Sequence, residues 1–395
     1  MSLKTAVAAA PRHFALRMRG FYGGYFLFGG VVLPFFPIWL QARGLTAIEI
    51  ANVIAIPSLA RVFLTPVAGV YADRAPSRRF AAITFTVPAA IIFLLAWPAT
   101  GFLPILLLTG LAFTAYSLAL PPAEALALTG VRRYGFDYGR MRLTGSVAFI
   151  TANLGSGALL GFLHGNPEAI FWFILVALVA SAAVSFALPV TPPAVRALDD
   201  AVKPDTRPSW TVLGNAGFLL LMLASGLVQA SHAVLYSFGS IQWRMDGFSD
   251  VQIGAFWAIG IVCEVSVFMW STVALKRFGA HGLIIIGAIA AIVRWTAFPF
   301  EPTFLLAFVM QSLHGLTFGA TYVGTQHLIA RLVPEKLTAS AQGIFAMIGG
   351  ILMAAATSVA GPIYSVYGVD GFLFMVPVAA TGLVILIGIR RYATA

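Results

Sequence analysis

Apolar residues in this chain come in long unbroken runs, not in the spaced stripes of a soluble amphipathic helix. A helix needs about 20 mostly apolar residues to cross the hydrocarbon core of a bilayer. Twelve runs satisfy that length: 15–40, 47–72, 79–98, 102–129, 140–163, 168–189, 212–243, 250–275, 281–300, 303–330, 338–365 and 370–390. Several exceed the minimum, which predicts tilt or protrusion. The pattern predicts an all-α membrane protein with twelve transmembrane helices. Pro34 and Pro37 in the first run, and Pro121 and Pro122 in the fourth, predict kinks that neighbouring helices must accommodate.

The one long polar stretch is TPPAVRALDDAVKPDTRPS, Thr191 to Ser209. Proline-rich and mixed in charge, it reads as a linker. It predicts a six-helix bundle over 1–190, a linker over 191–210 and a second six-helix bundle over 211–395. An internal repeat supports two related halves. GLTAIEIANVIAI at 44–56 matches GFSDVQIGAFWAI at 247–259, an offset of about 203 positions. Gly44 falls on Gly247, Thr46 on Ser249, and Asp73–Arg74 on Lys276–Arg277. Parallel repeats of this kind are related by an axis along the membrane normal.

Composition agrees with the pattern. The 395 residues are 60% hydrophobic and 10% charged, against roughly 25% charged in soluble domains. Mean hydropathy is +0.92. A net charge of +10 suggests nucleic acid until the positions are inspected. All but four of the 24 Lys and Arg residues fall in turns on one side of the predicted helices or at the ends of the chain. Arg43 and Arg244 lie on the other side, and Arg61 and Arg294 lie within helices. That asymmetry is the positive-inside signal of a topology, not a nucleic-acid surface. It predicts both termini in the cytoplasm; the expected location is a bacterial inner (plasma) membrane. Met1 to Gly20 carries no signal-peptide pattern. Cys263 is the single cysteine, so neither a disulfide framework nor a cysteine metal site is expected. No P-loop, HExxH or hydrolase elbow is present. The expected protein is not an enzyme and carries no cofactor, and the lipid bilayer is an expected partner.

Ionisable residues inside the predicted helices are the candidate chemistry. A charge at the bilayer centre costs roughly 2.5–3.5 kcal/mol on insertion scales, so such residues mark pathways or fixed pairs. Glu124 ends the fourth run and Arg142 begins the fifth, within one hairpin. They read either as a pair that pins two helices or as cargo-binding groups. Arg61 has a fork suited to a carboxylate, or pairs with Glu124 or Glu264. Glu264 reads as a proton carrier tuned by Arg294, or as one end of a permanent Glu264–Arg294 salt bridge. His314 is a candidate proton relay or cargo contact, and also a plain core histidine. His232 and His327 are weaker candidates of the same kind.

Several motifs resemble a known family. Gly69-Val-Tyr-Ala-Asp73-Arg74-Ala-Pro-Ser-Arg78-Arg79 resembles the major facilitator superfamily signature G-x-x-x-D-[RK]-x-G-R-[RK]. Pro76 stands in for glycine, and one extra residue precedes the arginine pair. The resemblance implies a conformational latch of Gly69, Asp73, Arg74 and Arg78 and the major facilitator fold, two pseudo-symmetric six-helix bundles. Glu124, Arg142, Glu264, Arg294 and His314 resemble charged positions of the lactose permease family, where the glutamate and arginine contact sugar. That family's proton-carrying glutamate, three residues after the histidine, is Thr317 here. LPFFPIWL at 33–40, Ala60-Arg61, DYGRMRLTGSVAF at 137–149 and LHGLTF at 313–318 are similar to the phenylpropionate permease family. The implied function is proton-coupled symport of a small organic solute, first an aromatic monocarboxylate. Arg61, Glu124, Arg142 and His314 would then bind cargo, with Glu264, Arg294 and His314 coupling the proton. A sugar or nucleoside symporter, an efflux pump and a non-transporting receptor on the same scaffold are the alternatives.

Overall fold

The computed structural model describes residues 10–191, 214–300, 303–334 and 337–389, and among these it contains helices and no strand. In chain order the helices are α1 (Phe14–Ala42), α2 (Ala47–Arg74), α3 (Arg78–Leu95), α4 (Phe102–Ser117), α5 (Leu120–Tyr134), α6 (Tyr138–Phe162) and α7 (Glu168–Phe186). After the linker come α8 (Ala216–Ala230), α9 (Ala233–Met245), α10 (Asp250–Met269), α11 (Ser271–Ala297), α12 (Phe304–Ser312), α13 (Thr321–Leu332), α14 (Thr338–Tyr367) and α15 (Met375–Gly388). The linker lies outside the described residues apart from Thr191.

Eleven helical stretches of the described residues are long and apolar enough to cross a membrane. The last, Ser340–Gly388, has 49 residues, or about 73 Å of helix against a core of about 30 Å. A 3₁₀ turn at Gly368–Phe374 divides it into α14 and α15, giving the twelve expected crossings.

Three apolar runs are broken helices. The run at 102–129 stops at Ser117 and restarts at Leu120, with Pro121 and Pro122 in the new first turn, where a missing N–H costs nothing. The run at 212–243 breaks at Ser231 and His232. There Trp295 Nε1 donates to Ser231 Oγ at 2.9 Å, and His232 Nε2 lies 2.9 Å from Thr317 Oγ1. The run at 303–330 passes through a π-helical turn at Gly315–Ala320, a device often found at functional sites.

By contacts the chain divides into two compact units. Unit 1 draws on the described parts of Met1–Val32, Phe63–Ala152 and Phe171–Val202; unit 2 draws on Leu33–Val62, Asn153–Ile170 and Lys203–Ala395. The core of unit 1 is aromatic. Tyr25 stacks on Tyr116 at 4.3 Å and Phe93 on Phe171 at 4.6 Å, and Thr86 donates to Ser185 across a fully buried contact. In unit 2, α8 packs on both α14 and α15, and Phe298 stacks on Phe372 at 3.7 Å.

The repeat seen in sequence holds in geometry, within unit 2. α1 ends at Ala42 and α2 starts at Ala47; α9 ends at Met245 and α10 starts at Asp250. Gly44 and Gly247 both close their helices at positive φ, +80° and +88°, a conformation that a Cβ opposes. Thr46 and Glu49 exchange capping hydrogen bonds, and Ser249 and Gln252 do the same, the capping box in both cases.

Unit 2 also carries a polar seam. Arg244 donates to Asp250 Oδ1 from Nε at 3.0 Å and from Nη2 at 2.8 Å, and Nη2 reaches the Gly165 carbonyl at 3.1 Å. Below it α6 and α10 touch backbone to backbone. A Cβ on Gly157 would sit 2.5 Å from the Asp250 carbonyl oxygen, and one on Gly254 2.5 Å from that of Asn153. Arg43 pairs with Glu168 at 2.8 Å.

Candidate binding and coupling sites

The first cluster lies in unit 1, where α5 and α6 form a hairpin. Gly135 turns the chain at φ +70° after α5, and α6 follows at Tyr138. This brings Glu124 and Arg142 together: Arg142 Nε lies 3.7 Å from Glu124 Oε1. At that distance the contact is ionic and not a hydrogen bond. Tyr138 Oη donates to Glu124 Oε2 at 2.8 Å and so fixes the carboxylate. The Arg142 guanidinium lies over the Phe26 ring at 3.8 Å and beside that of Tyr22 at 5.5 Å. Gly145, one turn on, leaves the space that the guanidinium and the ring fill. Both charged side chains stay partly open, 32% for Arg142 and 26% for Glu124. The cluster is therefore a cation on an aromatic floor, loosely countered by a positioned carboxylate.

The second cluster lies in unit 2, on α10, α11 and the π-helical turn. His314 Nε2 lies 3.5 Å from Glu264 Oε2. On its other side His314 Nδ1 is 3.5 Å from Arg294 Nη1. The imidazole thus stands between the carboxylate and the guanidinium, where sequence suggested a direct Glu264–Arg294 contact. Arg294 is 1% exposed. It also donates to Gln311 Oε1, meets Thr317 Oγ1 at 3.5 Å and lies 4.8 Å from the Trp295 ring. Thr317, at the position of the lactose permease glutamate, is 2.9 Å from His232 Nε2. His232 is fully buried, and its other ring nitrogen lies 3.0 Å from the Gln229 carbonyl. His327 contacts the Val323 carbonyl of its own helix at 3.0 Å, a local structural bond.

The remaining sequence candidates fall elsewhere. Arg61 is exposed on α2, in unit 2, whereas Glu124 and Arg142 belong to unit 1. In the latch, Asp73 and Arg74 are exposed at the end of α2. Arg78 holds the middle of α5, donating to the Ala125 carbonyl at 2.9 Å and to Thr129 Oγ1 at 2.7 Å. A Cβ on Gly69 would meet nothing within 4 Å, so close helix packing is not what that position requires here.

Sequence reasoning did not single out Gln311 or Phe26, and Tyr138 entered only as a motif letter. Gln311 is a buried amide in an apolar run, which is a usable signal. Phe26 is one of 32 phenylalanines and carries none.

Comparison with known proteins follows the same lines. The model of the MFS_1 like family matches residues 15–374. The chain is 29% identical over 366 residues to a probable 3-phenylpropionic acid transporter of Escherichia coli (strain K12), covering 91% of this chain and 93% of that protein. It is 25% identical over 330 residues to a maltose permease of Geobacillus stearothermophilus, covering 83% and 82%. Among solved structures, the nucleoside transporter NupG superposes with a TM-score of 0.80 at 18% identity, over 96% of this chain and 98% of that one.

Proposed function

The chain belongs to the MFS_1 like family, is a membrane transporter and not an enzyme, and from that premise we propose that it is a proton-coupled importer of a small aromatic monocarboxylate, working by alternating access. The observation that carries this reading is the Arg142 guanidinium stacked on Phe26 and held only loosely by Glu124. A carboxylate suits the open edge of the guanidinium, which offers paired donors. An aromatic ring suits the floor of Phe26 and Tyr22, which attracts ring edges and cations alike. The 3-phenylpropionic acid named for the Escherichia coli relative has both groups.

In unit 2 the coupling group is the Glu264–His314–Arg294 line. Glu264 takes up a proton in one state and releases it in another, and His314 passes the positive field of Arg294 to it. Neutralising a buried carboxylate removes the cost of carrying it through an apolar interior. Cargo anion and proton would thus cross together. The six-plus-six division at the linker, cytoplasmic termini and a monomeric working unit belong to the same proposal.

A second reading, sugar or nucleoside symport, draws on Glu124 and Tyr138, whose oxygens suit hydroxyl groups. The test is uptake by purified protein in sealed proteoliposomes. Phenylpropionate, maltose and a nucleoside are each offered with and without an inward proton gradient. The proposal expects gradient-dependent accumulation of phenylpropionate. Accumulation of maltose or the nucleoside alone transfers the function to the second reading.

A further inference from the structure

Arg294 and Gln311 use only part of their hydrogen-bonding capacity. The two terminal nitrogens of Arg294 are engaged, by His314 and Thr317 on one side and by Gln311 Oε1 on the other. Its Nε–H has no partner, and neither has the Nε2 amide of Gln311. Both residues are almost wholly buried, at 1% and 3%. Buried donors left without an acceptor are costly and rare, and a bound water or ion is one of their recurring explanations.

Both residues line one small cavity in unit 2, between the end of α11 and α12. Its remaining walls are Trp243, Ala297, Phe298, Ala307 and Met310. The free space is about 10 Å³, the scale of a single water molecule and far below that of an organic solute. The two open groups are both donors, and one belongs to a cation. The walls add no side-chain acceptor beyond the weakly accepting Met310 sulfur.

We infer that this cavity is a binding site for one small hydrogen-bond acceptor, held between Arg294 Nε and Gln311 Nε2. Its occupant is a water molecule or a halide ion. A water satisfies both donors with its lone pairs, and a halide does the same while countering the guanidinium charge. Either occupant fixes the guanidinium from the side opposite His314 and so holds the buried line in register. The site stands whether or not Glu264 carries a proton, because it rests on donors and space and not on transport.

The test uses the full chain in lipid nanodiscs. Thermal unfolding is followed in sodium chloride and in sodium gluconate at equal ionic strength, for wild type and for Ala307→Leu, which fills the cavity and leaves both donors in place. A high-resolution structure in sodium bromide supplies the second readout. A halide site gives a wild-type midpoint that rises by a few degrees and saturates with chloride, no such rise in Ala307→Leu, and a bromide peak between the two nitrogens. A water site gives no halide dependence and an oxygen peak within hydrogen-bond distance of both nitrogens. If the cavity holds no peak, or if both N–H groups are found bonded to protein acceptors, the site does not exist.

Discussion

Gly145→Ala isolates the claim that Arg142 and its aromatic floor hold cargo. A Cβ at this position would lie 2.6 Å from Phe26 Cδ2 and 2.9 Å from Arg142 Nη1. Ordinary carbon contacts are about 3.5–4.0 Å, so the ring or the guanidinium must move by roughly 1 Å. The present guanidinium–ring distance of 3.8 Å leaves no slack for that. A cation–π contact contributes about 0.5 kcal/mol when exposed and about 2 kcal/mol when desolvated. Its loss converts to about a 2- to 30-fold weaker affinity. Fold stability moves the other way, because alanine inside a helix is favoured over glycine by about 0.5–1 kcal/mol before the local clash is subtracted. The assay pairs binding of labelled phenylpropionate to purified protein with thermal unfolding of the same samples. The expected result is weaker binding with an unchanged or slightly raised unfolding midpoint. Wild-type affinity in Gly145→Ala refutes the reasoning, as does a loss of binding that merely follows a loss of fold.

Three further outcomes follow from the same contacts. Glu264→Gln should leave exchange of internal for external cargo intact and abolish uphill uptake; loss of both, or of neither, removes Glu264 from the coupling role. Arg244→Gln strips both bonds to Asp250 and the bond to the Gly165 carbonyl, leaving a carboxylate that is 7% exposed without its cation. The unfolding midpoint should fall, by more than the 0–1 kcal/mol typical of surface pairs, and Arg244→Lys should recover only part of it because lysine has no bidentate fork. In a Cys263→Ser background, single cysteines at Glu168 and at Ala75 should react with a membrane-impermeant maleimide from opposite sides, Glu168 from outside. Reaction of both from one side overturns the assigned topology.

Much of the architecture was legible because a bilayer leaves few alternatives. Every backbone group in the apolar zone must be paired within a helix, so run length alone located the twelve crossings. The offset repeat was legible because capping chemistry is local: Thr46 with Glu49, and Ser249 with Gln252, set the same corner in both places. The Glu124–Arg142 contact was legible because a hairpin forces neighbours in sequence to meet. The break before Leu120 was marked by two prolines. The breaks at His232 and at the π-helical turn were not, since they answer to partners more than 60 residues away, Trp295 for Ser231 and Thr317 for His232. Single-sequence periodicity holds no record of such contacts. The interposition of His314 between Glu264 and Arg294 was hidden for the same reason: charge counting finds the three residues but not their order in space. The contact units, which divide α1, α2, α6 and α7 between them, were equally invisible to a reading based on the linker.

The most direct measurement of the central claim is proton movement on addition of cargo. Purified protein is sealed in lightly buffered proteoliposomes, and the external pH is followed as phenylpropionate is added. The account predicts alkalinisation of the medium by wild type, none by Glu264→Gln, and cargo uptake that tracks the proton signal. Cargo entry in wild type with no accompanying proton would contradict it.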